Sequence, residues 1–234
     1  MLGIDTATAD AAVAVSRDGE LVAEGSVGPD DGGRPQHSRV LLGEIERAVE
    51  AAGGWDALER IAVGIGPGSF TGLRIGIATA RGLAQARDLP LAGVGSLAAL
   101  ARGISERAEG VERAALPVID ARRGQVFAGL YDGTGQERWP PLVGFPEELV
   151  ERLAELDPAP LAAGDGAVRF AAELEAVGVT VAPPRDTVHR IAARHVCALG
   201  EVADATPPDQ VEPLYLRPPD AKRWLERDRN ARSR

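Results

Sequence analysis

The chain has 234 residues, 44% of them hydrophobic and 26% charged, with a net charge of −9, so it can build one large domain or two small ones around a true core. No apolar run is long enough to span a bilayer and no basic segment leads into an apolar one at Met1, so a cytoplasmic protein with no membrane association is expected. Cys197 is the lone cysteine, which excludes an internal disulfide framework and fits a reducing compartment. Lys222 is the lone lysine, and its place near the end of the chain excludes P-loop ATPases and Schiff-base or pyridoxal enzymes, which need a lysine inside the site. The acidic balance argues against a broad nucleic-acid-binding surface. Arg217 to Arg234 nevertheless hold seven basic and three acidic residues. Such a tail reads first as a solvated terminus, with RNA or an acidic partner as the functional alternative.

In chain order, Leu2-Gly3-Ile4-Asp5 predicts a short strand ending on an acid, and Ala11 to Val15 a half-buried one. Arg17-Asp18-Gly19-Glu20 has hairpin-turn chemistry and hands over to a partner strand from Leu21 to Val27. A polar loop from Asp30 to Gln36 precedes a helix over 37–52, with Leu41, Ile45, Ala48 and Ala52 on one face and Gly53-Gly54 as its stop. The apolar run Ile61 to Ile65 predicts a buried strand, Gly66 to Gly76 a glycine-rich turn, and 71–87 a helix. A strand over 91–94 follows, then a short helix capped by Ser96. Polar residues 103–113 suggest a boundary between units. Beyond it, 115–119 and 125–131 read as strands around Asp120-Ala121-Arg122-Arg123-Gly124, with another near Leu142. Helices are expected over 146–156, 167–176 and 187–202, and a strand over 161–163 that runs into Gly164-Asp165-Gly166. The second half repeats the first more loosely, a duplicated mixed α/β pattern.

Three acids, Asp5, Asp120 and Asp165, sit in loops after apparent strands, where facing loops of a two-lobed protein would hold a metal–phosphate group. Turns also prefer aspartate for its own sake. The loop Gly66-Pro67-Gly68-Ser69-Phe70-Thr71-Gly72 lacks the Gly-Lys-Ser/Thr ending of a Walker loop and is not a G-x-G-x-x-G fingerprint. Pro67 fixes φ at the turn, and Ser69 or Thr71 can cap the helix. An anion could dock on the unpaired N–H groups of that helix start. Along the helix, Gly72, Gly76, Ala80 and Ala84 recur every four residues, a stripe without large side chains. It suits close packing on the chain's own sheet or docking of a helix from another subunit. His37, His189 and His195 show no metal-binding spacing, so no metal site is expected. His37 reads as a helix-start residue, and Cys197 as a small buried hydrophobe. No local Ser/His/Asp set points to a nucleophile.

Leu2-Gly3-Ile4-Asp5-Thr6-Ala7-Thr8, His37-Ser38, Gly66 to Gly76 and Gly93-Val94-Gly95-Ser96-Leu97 together resemble the TsaB family. Ile119-Asp120-Ala121-Arg122-Arg123-Gly124-Gln125-Val126-Phe127 and Glu212-Pro213-Leu214-Tyr215-Leu216-Arg217 extend the resemblance over nearly the whole chain. It implies an actin/Hsp70-like (ribonuclease H-like) duplicated α/β fold, two lobes with mixed sheets. The expected division is an N-terminal lobe over 1–104, a C-terminal lobe over 105–216 and a basic tail over 217–234. The resemblance further implies a non-catalytic subunit that pairs with TsaD through its first two long helices. It places Leu41, Ile45, Ala48, Gly72, Gly76, Ala80 and Ala84 as partner-binding residues, with weak homodimerisation through the same helices when the chain is alone. TsaE in a larger complex and indirect contact with tRNA belong to the same picture. No catalytic residue and no tightly bound cofactor are implied, with ATP or ADP and Mg a ligand of the assembled complex. Asp5, Asp120 and Asp165 are then vestigial nucleotide-loop residues. The alternative is an ATP-dependent phosphotransferase of the same fold, using Asp5 and Asp120.

Overall fold

The computed structural model describes residues 1–108 and 113–217. The basic tail from 218 onward, with Lys222, and residues 109–112 of the polar stretch lie outside the described residues. In the first half, β1 (Leu2–Asp5), β2 (Ala11–Arg17) and β3 (Glu20–Val27) form an antiparallel meander. Helix α1 (His37–Ala51), β4 (Ile61–Gly66), α2 (Phe70–Arg87), β5 (Leu91–Gly95) and α3 (Ser96–Arg107) follow, giving a sheet of order β3-β2-β1-β4-β5 with β1, β4 and β5 parallel. The second half repeats the plan. Strands β6 (Ala115–Arg122), β7 (Gln125–Tyr131) and β8 (Glu137–Gly144) form the meander, and β9 (Leu161–Ala163) and β10 (Thr180–Val181) add in parallel, giving the order β10-β9-β6-β7-β8. Helices α4 (Pro146–Leu153), α5 (Asp165–Arg169), α6 (Ala171–Glu175) and α7 (Ala193–Val202) occupy the positions of the earlier helices. This is the duplicated two-lobed α/β architecture that the sequence leads one to expect.

Alternation along the strands decides which helix lies on which face. Val13 and Val15 point into the main core with Leu41 and Ile45 of α1, whereas Ala12 and Ala14 meet Ala193 and Cys197 of α7. In β6, Leu116 and Val118 face the second core with Leu149 and Leu153 of α4, while Ile119 joins Leu97, Leu100 and Ile104 of α3. The closing helix of each half therefore packs on the sheet of the other half: α3 on β6 and β7, α7 on β1 and β2. The boundary expected at 104/105 falls inside α3 (Ser96–Arg107), the helix that packs on the second sheet.

Other elements differ from expectation for local reasons. The hydroxyl of Ser96, expected to cap its own helix, instead accepts from Gly66 N–H and donates to Asp5, and the N-cap position falls to Gly95. The single helix expected over 167–176 is broken at Phe170 into α5 and α6, and α4 ends at Leu153 rather than 156. Thr187–His189 form a 3-10 turn capped by the Asp186 carboxylate, and α7 starts only at Ala193. Strand β8 tolerates Pro140 and Pro141 because it is an edge strand, where a missing N–H leaves no ladder bond open.

Candidate functional site

The small-residue stripe faces inward. A Cβ at Gly72 would overlap the Thr6 carbonyl oxygen, and one at Gly76 would overlap the Thr6 hydroxyl. That hydroxyl donates to Gly72 O at 2.8 Å, and Ser69 N–H donates to Ala7 O at 2.7 Å, so the loop after β1 lies directly on α2. Ser69 is the helix N-cap, accepting from Gly72 N–H at 3.2 Å. Ala80 and Ala84 are buried along the same line, and Leu41, Ile45 and Ala48 are buried on α1. None of the seven residues expected to meet a partner presents its side chain to solvent; they form this chain's own core. What α1 and α2 leave exposed is a different set: Leu42 at 63% exposure, and Ala78, Gly82 and Ala86 at intervals of four. The second stripe is offset from the first by two residues, about 200° around the helix.

The three acids do not converge. Asp5 is 1% exposed, accepting from Ala7 N–H at 2.8 Å and from the Ser96 hydroxyl at 2.7 Å. Burial pushes its pKa up to about 6, against the lowering effect of those two bonds. It is a structural clasp among β1, β4 and α3, outside the cleft between the lobes, which corrects its expected pairing with Asp120. Asp120 and Asp165 do line that cleft, yet both are engaged. The Asp120 carboxylate accepts from Arg122 N–H at 2.8 Å and from the Arg169 guanidinium at 2.8 Å, and Asp120 N–H donates to Asp165 at 2.9 Å. Burial raises the Asp165 pKa, partly offset by the bond from Asp120 N–H.

The cleft has a volume of about 800 Å³. Its walls are the loop Ala7–Ala9, the start of α2, the tip of the β6–β7 hairpin, and the segment Leu214–Arg217. Phe70 and Tyr215 lie 5.1 Å apart between ring centroids, tilted by 32°, with the Arg74 guanidinium 3.9 Å from the Phe70 centroid and Arg74 Nε donating to the Tyr215 hydroxyl at 3.2 Å. Leu214 N–H donates to Ile65 O at 2.8 Å, and Arg217 donates to Ala121 O at 3.0 Å and to Gln125, so this segment bridges the two lobes. The cleft lining contains no His, Cys or Lys among the described residues, but four arginines. The arginines share the lining with the carboxylates of Asp120 and Asp165, and the Arg122 guanidinium pairs with Asp120. Sequence reasoning quoted Arg122, Arg123 and Tyr215 as motif letters and did not identify them as a site. Only the fold brings these distant segments together.

His37, buried at the start of α1, places Nε2 3.2 Å from Asp10 O. His189 accepts from Gly164 N–H at 3.1 Å. His195, in α7, has its pKa pushed down to about 4 by burial and by the nearby charges of Arg194 and Arg102. Cys197 is buried, and burial pushes its thiol up to about 11. Among the described residues no His, Cys, Asp and Glu group could hold a metal ion, and no helix is long and apolar enough to cross a membrane.

Comparison with known proteins gives consistent matches. The family model described as TsaD, tRNA N6-adenosine threonylcarbamoyltransferase, matches residues 15–160. The tRNA threonylcarbamoyladenosine biosynthesis protein TsaB of Escherichia coli K12 is 34% identical over 171 residues, 71% of either chain. TsaB of Bacillus subtilis 168 is 32% identical over 174 residues, 72% of this chain and 74% of its own. The structure of YeaZ from Pseudomonas aeruginosa, 28% identical, covers 92% of this chain and 98% of its own with a TM-score of 0.74.

Proposed function

The chain belongs to the TsaB family, and from that membership we propose that it is the accessory subunit that binds TsaD and supports transfer of threonylcarbamoyl to the tRNA adenosine beside the anticodon. The observation that carries the pairing is the outward face of α1 and α2. The two helices are in contact, and their exposed sides present Leu42 on one and Ala78, Gly82 and Ala86 on the other. Small residues at four-residue intervals allow a partner helix to approach closely, and a leucine held in water gains by being covered. The chain alone forms a weak homodimer through the same face, and TsaE joins the larger assembly through TsaD. No catalytic residue is assigned here, because the cleft acids are bound to neighbouring arginines and N–H groups and Asp5 lies outside the cleft. Tight nucleotide binding by the isolated chain is not expected; ATP or ADP with Mg is a ligand of the assembly.

The test is co-purification with TsaD from the same organism, followed by a tRNA modification assay. Leu42→Glu and Gly82→Arg should fold normally, since both sites are exposed, yet lose the TsaD complex and the modified nucleoside. Undiminished pairing by both variants would overturn the interface. The phosphotransferase alternative is checked by titrating Mg-ATP into the isolated chain, where tight binding with turnover would displace the accessory role.

A further inference from the structure

The second half carries a helix face that the fold leaves without a partner. Pro146, Leu149 and Leu153 are buried on one side of α4, the two leucines in the second core, so Glu147, Glu148 and Glu151 stand in water on the other. Among the described residues none of these three carboxylates is in an ion pair. Arg152, the cation of that helix, is laid instead over Trp139, 4.6 Å from its ring. Just before the helix, Phe145 is 47% exposed, a large apolar side chain at the acidic end. We propose that this face is the docking site of the chain's own basic tail, residues 218–234, with Trp224 covering Phe145 and the flanking cations meeting Glu147, Glu148 and Glu151.

Three observations select the tail as the occupant. The first is where the described chain ends. Arg217 donates to Gln125 at the start of β7. Val126 pairs with Gly144 across the β7–β8 ladder, so Gln125 and Phe145 are the next residues along it and share a face. The tail therefore leaves beside Phe145. The second is length. Trp224 comes seven residues after Arg217, a reach of up to about 23 Å, while the 8 residues of α4 span only about 12 Å. The third is charge and its order. The tail holds six basic and three acidic residues, +3 in a chain of −9, so residues 1–217 carry −12. Trp224-Leu225 lies between Lys222-Arg223 and Arg227, an apolar centre flanked by cations, as Phe145 is flanked by the acids of α4. Exposed ion pairs are weak singly, and several of them beside a covered ring make a contact that salt loosens. Tail and face belong to one chain, so the contact is intramolecular and needs no high affinity.

Lys222, the lone lysine, makes the test direct. A carbodiimide joins an amine to a carboxylate in contact with it, and peptide mapping of the full chain then identifies the carboxylate. Lys222 should be joined to Glu147, Glu148 or Glu151 within one chain, with a yield that falls as salt rises. Phe145→Ala and the double variant Glu148→Arg/Glu151→Arg replace exposed side chains, so both should keep the fold, as circular dichroism would show. Both should lose most of the cross-link to α4, and trypsin should cut after Arg223 about fivefold faster than in the parent chain. Lys222 joined only to acids of the tail or of other faces, joined to α4 only between two copies, or a tail cut at the parent rate in both variants would each overturn the proposal. The chain is tested without TsaD, so the outcome is independent of the pairing role.

Discussion

Gly72 and Gly82 occupy one helix and differ only in what surrounds them. A side chain at Gly72 meets the rigid Thr6 carbonyl, whereas the space over Gly82 is open. The same substitution should therefore act in opposite directions. Gly72→Ala gains up to about 1 kcal/mol in helix propensity but forces the β1 loop off α2, an overpacking cost of about 1–3 kcal/mol. It should lower the urea midpoint, while Gly82→Ala should raise it by up to about 1 kcal/mol of stability. Equal shifts in the two variants would show that the β1 loop yields freely. A charged residue at Gly76 or Ala80, which the sequence alone suggests as a probe of pairing, would perturb the fold itself and could not report on a partner. Asp5 carries a similar lesson. Its position before Thr6-Ala7-Thr8 looks like a phosphate loop, but its carboxylate is spent on Ala7 N–H and the Ser96 hydroxyl.

Among the elements, the segment after α7 does more than end the chain. Thr206 N–H donates to Leu91 O at 2.9 Å, and Arg81 on α2 donates to Val211 O at 2.6 Å and to Asp209 O at 3.0 Å. Together with the Leu214 and Arg217 contacts, these make a strap that runs from β5 to the β6–β7 hairpin and forms one wall of the cleft. Hydrogen bonds from a charged donor contribute about 1.5–3 kcal/mol each where they are shielded. Arg81 is only partly shielded, so Arg81→Ala should cost about 1–2 kcal/mol. Amide exchange at Leu214 should accelerate in that variant while β1 stays protected. Unchanged exchange at Leu214 would mean the strap is held from its far end alone.

For the whole molecule, the crossing of α3 and α7 fixes how the lobes behave. Leu97, Leu100 and Ile104 of α3 are fully buried with residues of β6 and β7, and α7 covers β1 and β2 in return. Burying one such side chain is worth about 1.5–3 kcal/mol, so neither lobe keeps its core once the other unfolds. Calorimetry should show a single transition, with the calorimetric and van't Hoff enthalpies equal. Two separated transitions, or a folded fragment covering 1–108 alone, would contradict this coupling.

The strands and helices were legible because their causes are local. An apolar run marked β4, the Gly53-Gly54 pair marked the end of α1, and the repeated order of elements revealed the duplication that the topology shows. The motif segments were equally legible as family markers, since a string such as Gly66 to Gly76 is a property of the chain itself. Direction was not legible. A stripe of small residues has the same sequence signature whether it packs on a partner or on its own β1 loop, and only the placement of Thr6 turns Gly72 and Gly76 inward and leaves Ala78, Gly82 and Ala86 outside. Convergence was hidden too, because Phe70, Arg122 and Tyr215 become neighbours only when α2, the hairpin and the strap are folded together. The sequence by itself determined most of the elements, their duplication and the family; the tertiary structure decided where the helices of the second half break, which residues face water and which of them meet across the cleft, because exposure and proximity are set by long-range packing that no local pattern encodes.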